Sequence, residues 1–593
     1  MSAYRSAETF GNVAEHLPRM ALARPHALAI VMPLTKARGA KRRYQNVTFA
    51  QLEERSNAMA EGLRQIGITK GTRTVLMVRP SLPFFALTFA LFKVGAVPVM
   101  VDPGMGTKNL GTCLGRARPE AFIGVPEAHA ARVALGWARS TVRTNVIVGS
   151  RGLAMLFGPW MHTLDSVEKR GLSVHSEIER VRTEDTAAIL FTSGSTGIAK
   201  GAVYSHGNFL AQVEAIRTMY GIAPGEIDLP TFPLFALFDP ALGMTTVLPE
   251  MDFAKPATVD GANIAEAIAD WGVTNMFGSP AVLDRVARWG EGRKVRFDTL
   301  RRVISAGAPV HPRILERFRR LLPNEARIHT PYGATEALPI ATIDDKTILG
   351  RGIDAASHEQ EGTRTGTDAG EGICVGKPVP SADVQIIQIR DEPIETMSDE
   401  LRVGRGVVGE ITVAGPQVTT HYWGDEKSTR AHKMSDGGRV RHRVGDVGYF
   451  DTQGRLWFCG RKSHRVEWKG TTYFTEQVEG PFNAHAHVLR SAFVKGYVEY
   501  YLGGHQKQEA LFLFVQPIDE DVWVREAAPV GRTGEPAAPL RHAMMRIAER
   551  IGLPELRIVV RRDLPVDPRH NAKILREQLA KEARTFLRVN PAR

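Results

Sequence analysis

The residues Phe191-Thr192-Ser193-Gly194-Ser195-Thr196-Gly197-Ile198-Ala199-Lys200-Gly201 interleave glycines with hydroxyl side chains and end on a lysine. Glycine lets a backbone approach an anion closely. Successive N–H groups, together with the hydroxyls of Thr192, Ser193, Ser195 and Thr196, donate to phosphate oxygens, and Lys200 adds charge. The chemistry this spacing predicts is a grip on a phosphate chain. It is not a Walker loop, which needs Gly-Lys-Ser/Thr where Ala199-Lys200-Gly201 stands. A flexible Ser/Gly linker has a similar composition, but linkers rarely follow an apolar run such as Ala187–Phe191.

A loop of this kind works only if stiff elements aim it. The 593 residues exceed one ordinary core, so at least two domains are expected. Hydrophobic residues at 43% and charged ones at 24% fit a globular enzyme rather than a disordered chain. The net charge of +12 favours anionic ligands. Apart from Lys36–Arg43 the basic residues are spread out and not interleaved with aromatics, which argues against nucleic acid as a partner. Cys113, Cys374 and Cys459 are too dispersed for a zinc or redox motif and fit a reducing compartment. Residues 1–16 lack the apolar core of a signal peptide. Leu82 to Val101 is interrupted by Pro83, Lys93, Gly95 and Pro98, so it reads as a buried helix and strand, not a transmembrane segment. The expected location is the cytoplasm.

Apolar residues at helical spacing from Phe49 to Ile66 precede a strand at Thr74–Val78, a helix at Pro83–Phe92 and a strand at Ala96–Val101. A helix, Gly272 and a short strand follow one another between Ile264 and Phe277, and Arg301–Ser305 is a further strand. Such alternation implies parallel sheets covered by helices. Asp354–Glu371 reads as a surface loop. After Val379 short strands take over, including Val384–Ile387 and Gly409–Val413. A polar, basic boundary lies near Gly460–Ser463. Beyond it come a helix at Glu476–Asn483, strands at Val488–Lys495 and Ala510–Val515, a polar loop at Glu526–Pro539 and a helix from Leu540 to Arg550.

The phosphate stretch resembles that of the adenylate-forming superfamily, which holds acyl-CoA synthetases, peptide-synthetase adenylation domains and firefly luciferase. Further motifs carry the resemblance in the family's order from Thr48 to Arg576. Tyr332-Gly333-Ala334-Thr335-Glu336 is similar to the motif that stacks on adenine and holds magnesium through its glutamate. Ala306-Gly307-Ala308 matches the adenine-pocket backbone. Asp446, with Gly445 and Asp451, and Arg461 after Gly460 match the ribose-gripping pair. Asn571-Ala572-Lys573-Ile574 matches the C-terminal motif whose lysine reaches the reacting carboxylate. The resemblance implies ATP and Mg2+ as cofactors, with Lys573, Glu336 and Thr335 at the chemistry. Thr192–Gly197, Lys200, Ala306–Ala308, Tyr332–Ala334, Asp446 and Arg461 would hold the nucleotide. It also implies an α/β fold: residues 1–462 as an N-terminal AMP-binding domain of parallel-sheet subdomains plus a small β-barrel-like one, and 463–593 as a smaller, mobile α+β lid.

Several positions depart from the thioester-forming members. Glu467 stands where luciferase-like members carry lysine, and Ala572 replaces a common glycine. The segment Phe232-Pro233-Leu234-Phe235-Ala236-Leu237-Phe238-Asp239-Pro240 lacks the histidine usual after Pro-Leu-Phe. With Tyr332–Pro339 and Leu456–Val466, it looks like the β-lactone synthetases of bacterial long-chain olefin biosynthesis. In those enzymes a 2-alkyl-3-hydroxy fatty acid is adenylated and its own 3-hydroxyl closes the ring. Assembly with other enzymes of that pathway is a further expectation. Phe232, Phe235, Leu237, Phe238 and Met244 suit a fatty chain or an ordinary core, and Ala236 is expected to leave room for the second alkyl branch. Asp239 is a candidate base for ring closure or a simple turn residue, and His206 is either near the acyl pocket or structural. A medium- or long-chain acyl-CoA or acyl-AMP ligase, or a silent nucleotide-binding scaffold, remain the alternatives.

Overall fold

The Thr48 hydroxyl accepts from the Gln51 amide at 3.2 Å while the Gln51 side chain accepts from the Thr48 amide at 3.0 Å. This reciprocal cap starts the helix Phe49–Gln65, whose apolar stripe buries Leu52, Met59 and Leu63. In the computed structural model, residues 9–35, 40–149, 158, 160–172, 174, 176–192, 199–350, 363–500, 506–518, 533–534, 538–566, 574–583 and 588–589 are described.

The N-terminal helix–strand alternation yields a seven-stranded sheet. Strands Met161–Thr163, Thr144–Ile147, Ala121–Gly124, Arg73–Met77, Val97–Val101 and Thr186–Thr192 run parallel in that order. Lys200–Ser205 then closes the edge antiparallel, with Thr192 opposite Lys200. The two ends of the Gly/Ser/Thr stretch, Phe191–Thr192 and Lys200–Gly201, are therefore paired with each other on adjacent strands. Leu82–Lys93 is a helix buried at every position but Pro83, because Phe84, Phe85, Phe89 and Leu91 pack into the largest apolar core among the described residues.

A second sheet begins with Tyr44–Thr48 antiparallel to Leu28–Pro33. It continues in parallel through Thr245–Val247, Ile227–Pro230, Asn275–Phe277, Arg302–Ile304 and Arg327–Ala334. Gly272, at φ +61°, ends the helix Gly261–Trp271 in the left-handed region and turns the chain into Asn275–Phe277. Ala337–Asp344 folds back against Arg327–Ala334, and from there antiparallel strands take over through Ile373–Pro378, Leu456–Arg461, Arg439–Phe450, Gly409–Ala414 and Asp383–Ile387. The antiparallel part is thus continuous with the parallel sheet.

The C-terminal part is α+β: the long hairpin Val488–Tyr500 and Gln506–Pro517 pairs with Arg557–Arg561 and packs on helices Thr475–Asn483 and Ala538–Arg550. Arg313 ties it to the rest by donating to the carbonyls of Val488 at 2.8 Å and His485 at 2.6 Å. Two loop expectations need correction. Thr363–Ala369 is a helix that packs on Thr475–Asn483, while 354–362 lies outside the described residues. Within 526–539, Thr533–Gly534 is a short strand against Arg557–Arg561 and the helix already begins at Ala538. No helix among the described residues is long and apolar enough to cross a membrane.

Candidate active site

Arg302–Ile304 and Arg327–Ala334 are neighbouring parallel strands, so their carboxyl ends lie together, the place where open α/β sheets bind ligands. One is followed by Ala306-Gly307-Ala308, with Gly307 at φ +97°, and the other ends in Tyr332-Gly333-Ala334. A side chain at Gly333 would press against Leu338 Cδ1 at 2.7 Å and the Ala337 carbonyl at 2.9 Å, which confines the position to glycine. These residues line one cleft of about 2310 Å³ together with Asp446, Arg461, Thr335, Glu336 and Lys200.

At one corner of the cleft, Tyr332 donates to Asp446 Oδ2 at 2.7 Å and Arg461 Nη1 holds Oδ1 at 2.8 Å. Asp446 and Arg461 face each other directly across two antiparallel strands. The Asp446 carboxylate raises the Arg461 pKa above its ordinary value, and burial followed by the same carboxylate pushes the Tyr332 phenol well up. The corner therefore keeps an ion pair and a neutral donor. Asp451 is elsewhere: it accepts from the Gln453 and Arg455 amides and from Trp457 Nε1, which makes it a turn residue outside the cleft lining.

At the other end, the Tyr422 hydroxyl donates to Glu336 Oε1 at 2.7 Å. The Glu336 carbonyl accepts from the Thr419 amide at 2.9 Å and hydroxyl at 3.2 Å. Tyr204 donates to the Thr335 carbonyl, which fixes the turn between the two strands. The Lys200 ammonium donates to His432 Nε2 at 2.8 Å and lies 5.4 Å from the Tyr422 ring centroid. Burial lowers the Lys200 pKa, while Glu336 and Asp425 act in the opposite direction. Tyr422 and His432 were not singled out from the sequence. Ser193, Gly194, Ser195, Thr196, Gly197 and Lys573 lie outside the described residues, as does the Thr192 side chain. Ile574, Leu575 and Arg576, directly after Lys573, line the cleft.

The apolar arm of the cleft is lined by Phe232, Phe235 and Phe238, and Phe235 stacks on Phe277 with ring centroids 4.1 Å apart. Phe84, Phe89 and Phe92, from the helix that the sequence marks as buried, and Phe209 add a further wall. One expectation is corrected, at Ala236, and at Asp239, Met244 and His206 the structural of the two open readings is the one that fits. Ala236 is 0% exposed and packs in the core, not in the cleft lining, because the helical turn Pro233–Ala236 points its last residue inward. Asp239 is also buried away from the lining. It begins the turn Asp239–Leu242, accepts from the Thr246 hydroxyl at 2.9 Å and faces Asp228, so burial and Asp228 push its carboxyl well up. Met244 is buried in a neighbouring cluster. His206 is structural: its Nδ1 accepts from the Val13 amide at 3.2 Å.

The family model described as "AMP-binding enzyme" matches residues 18–423. The chain is 45% identical over 579 residues to the olefin beta-lactone synthetase of Xanthomonas campestris, covering 96% of this chain and 97% of the relative. A long-chain-fatty-acid–CoA ligase of Salmonella typhimurium is 26% identical over 477 residues, 76% of this chain and 78% of the ligase. Among solved structures, an amide bond synthetase from Marinactinospora thermotolerans superposes with a TM-score of 0.71 at 22% identity, over 96% of this chain and 99% of that one, a likeness of fold.

Proposed function

The chain belongs to the AMP-binding, adenylate-forming enzyme family, and from that premise we propose that it makes a β-lactone from a 2-alkyl-3-hydroxy fatty acid. The observation that carries this reading is the 45% identity with an olefin beta-lactone synthetase over nearly both whole chains, against 26% over a shorter span for a CoA ligase.

In the first half-reaction a carboxylate oxygen attacks the α-phosphorus of ATP and pyrophosphate leaves. In the second, the 3-hydroxyl oxygen attacks the acyl carbon, loses its proton, and AMP leaves with the bonding pair. Tethering the nucleophile on the same molecule removes the need for a second substrate, with effective molarities of roughly 10⁵–10⁸ M for well-placed groups. Tyr332, Gly333, Ala334 and Ala306–Ala308 would hold adenine, Asp446 and Arg461 the ribose, and Thr192–Gly197 with Lys200 the phosphates. Lys573 would neutralise charge developing between carboxylate and phosphate, and Thr335 would act with it at the chemistry. Phe232, Phe235, Phe238 and Phe277 would hold alkyl chain.

Magnesium fits this donor set. No group of three or more His, Cys, Asp or Glu side chains able to hold a metal occurs among the described residues, so Glu336 would share the ion with the triphosphate, as magnesium sites commonly do. When bound, the ion would neutralise phosphate oxygens. The division into an AMP-binding domain at 1–462 and a lid at 463–593, work in the cytoplasm and association with other olefin-pathway enzymes belong to the same proposal.

The test is incubation of the enzyme with ATP, magnesium and a 2-alkyl-3-hydroxy acid in the absence of coenzyme A. Lactone and AMP in equal amounts are expected. AMP release that depends strictly on coenzyme A, with a thioester as product, would instead make the chain an acyl-CoA ligase.

A further inference from the structure

His432 ends the helix Glu426–His432 and belongs to none of the recognised motifs, yet its ring reaches into the cleft. Its two nitrogens are not equivalent. Nδ1 lies 3.3 Å from the Arg443 carbonyl oxygen, which has only lone pairs to offer. Nδ1 must therefore carry the proton and donate, which leaves Nε2 with a free lone pair. That lone pair is met by the Lys200 ammonium at 2.8 Å. The helix end is itself fixed: the His432 carbonyl is 3.1 Å from His442 Nδ1, and Tyr422 packs edge-on to the His432 ring at 6.1 Å.

We propose that His432 is the positioning residue for Lys200: its neutral ring takes one N–H of the ammonium and directs the other two into the cleft, toward the outer phosphates of ATP. This rests on the reading of the cleft as an adenylation site.

A lysine on its own is a poor instrument for this task. Its four-carbon stem is flexible and its ammonium is a point charge without directional preference. Here three constraints remove that freedom. The stem starts at the first residue of the strand Lys200–Ser205, the ring face of Tyr422 lies beside the ammonium, and His432 takes one hydrogen bond. Burial and the neighbouring Lys200 charge lower the His432 pKa to about 4, so the ring stays an acceptor through the neutral range. Lys433, next in sequence, turns to the other side: its ammonium donates to the Thr419 carbonyl and, at 3.0 Å, to the Thr419 hydroxyl, and Thr419 in turn holds the Glu336 carbonyl. Adjacent residues thus brace the two ends of the phosphate site, His432 at the lysine and Lys433 at the glutamate turn.

The experiment measures ATP and AMP binding to the full chain by titration calorimetry in magnesium buffer. Lys200 should touch only the phosphates that AMP lacks. His432→Ala is therefore expected to weaken ATP roughly tenfold and leave AMP within about twofold, the scale of one charge-assisted hydrogen bond. His432→Gln, whose carbonyl oxygen also accepts from an ammonium, should recover most of the ATP affinity. In a Lys200→Ala background, His432→Ala should add nothing further. Equal loss of ATP and AMP, or an undiminished loss in the Lys200→Ala background, would overturn the proposal, as would unchanged ATP affinity. Absence of lactone formation by the parent enzyme would sink the proposed reaction alone, since the contrast between ATP and AMP does not depend on the acyl acceptor.

Discussion

Tyr422 and Glu336 are joined by a 2.7 Å hydrogen bond from phenol to carboxylate, and the phenol is the permanent donor. Burial and the Glu336 charge both push its pKa far above the usual tyrosine range. One carboxylate oxygen is thereby fixed, and on the proposed reading the other would face the magnesium ion. Tyr422→Phe should lower adenylation about tenfold, the scale of a hydrogen bond to a charged group, and shift the magnesium dependence to higher concentration. Pyrophosphate exchange measured across a magnesium titration checks this; superimposable curves for parent and variant would contradict it.

Ala236 is wholly buried, in the same apolar core as Phe84 and Phe85. An imidazole has no room there and no partner for its nitrogens. Ala236→His is therefore expected to cost stability, about 1–3 kcal/mol from overpacking alone, instead of merely excluding a branched substrate. A lowered urea midpoint at unchanged slope is the expected signature. A variant as stable as the parent that turns over straight-chain acids only would restore the pocket role.

The contrast between Ala236 and Lys200 shows what the sequence made legible. Strand–helix alternation and glycine punctuation are local, so Arg73–Met77, Leu82–Lys93 and Gly261–Trp271 were readable to within a few residues. The nucleotide motifs are short and contiguous, which made Tyr332–Glu336 visible. Which way a side chain turns out of two consecutive short helical turns, as at Ala236 and Asp239, depends on packing partners elsewhere in the chain. His432 lies 232 residues from the lysine it holds, and a single histidine carries no pattern.

Asp228 and Asp239 form a buried acid pair behind the apolar arm. Burial raises Asp228 to about 7, with Glu226 acting in the same direction and Arg302 and the Leu229 amide opposing it, and Asp239 also hydrogen-bonds Thr246. An acid raised in the folded state binds more protons than in the unfolded state between its two pKa values. Its contribution to stability is present below the unfolded value and is lost as pH rises to about 7. Asp228→Asn keeps the shape and removes the titration. The variant should gain on the parent between pH 5 and pH 8, as read from urea midpoints at each pH. Parallel pH dependence of the two proteins would refute the pairing.

Lys573 is expected to act on the reacting carboxylate, with Ile574–Arg576 lining the cleft beside it. Removing it should abolish acyl-AMP formation while ATP binding changes little, because neutralisation of the transition state is lost and the phosphate and ribose contacts remain. Lys573→Ala that still exchanges labelled pyrophosphate into ATP at the parent rate would remove Lys573 from the chemistry.

Arg443 and Glu410 are each about 1% exposed and meet at 2.6 Å, with Lys462 adding a second contact to Glu410 at 3.1 Å. Arg443 lies on the strand Arg439–Phe450 that carries Asp446, three residues away, and Glu410 lies on the neighbouring strand Gly409–Ala414. Arg443 also donates to the carbonyls of Glu392 and Ala431, so its position is fixed from several sides. Glu410→Ala would leave two cations facing an emptied, dry site, and breaking a buried pair in this way costs roughly 3–5 kcal/mol. Replacing both Glu410 and Arg443 with apolar residues of similar volume should cost less than the single change, because no charge is then stranded. A double-mutant cycle on unfolding free energy checks the pair: a coupling near zero would mean that the guanidinium and carboxylate are satisfied independently.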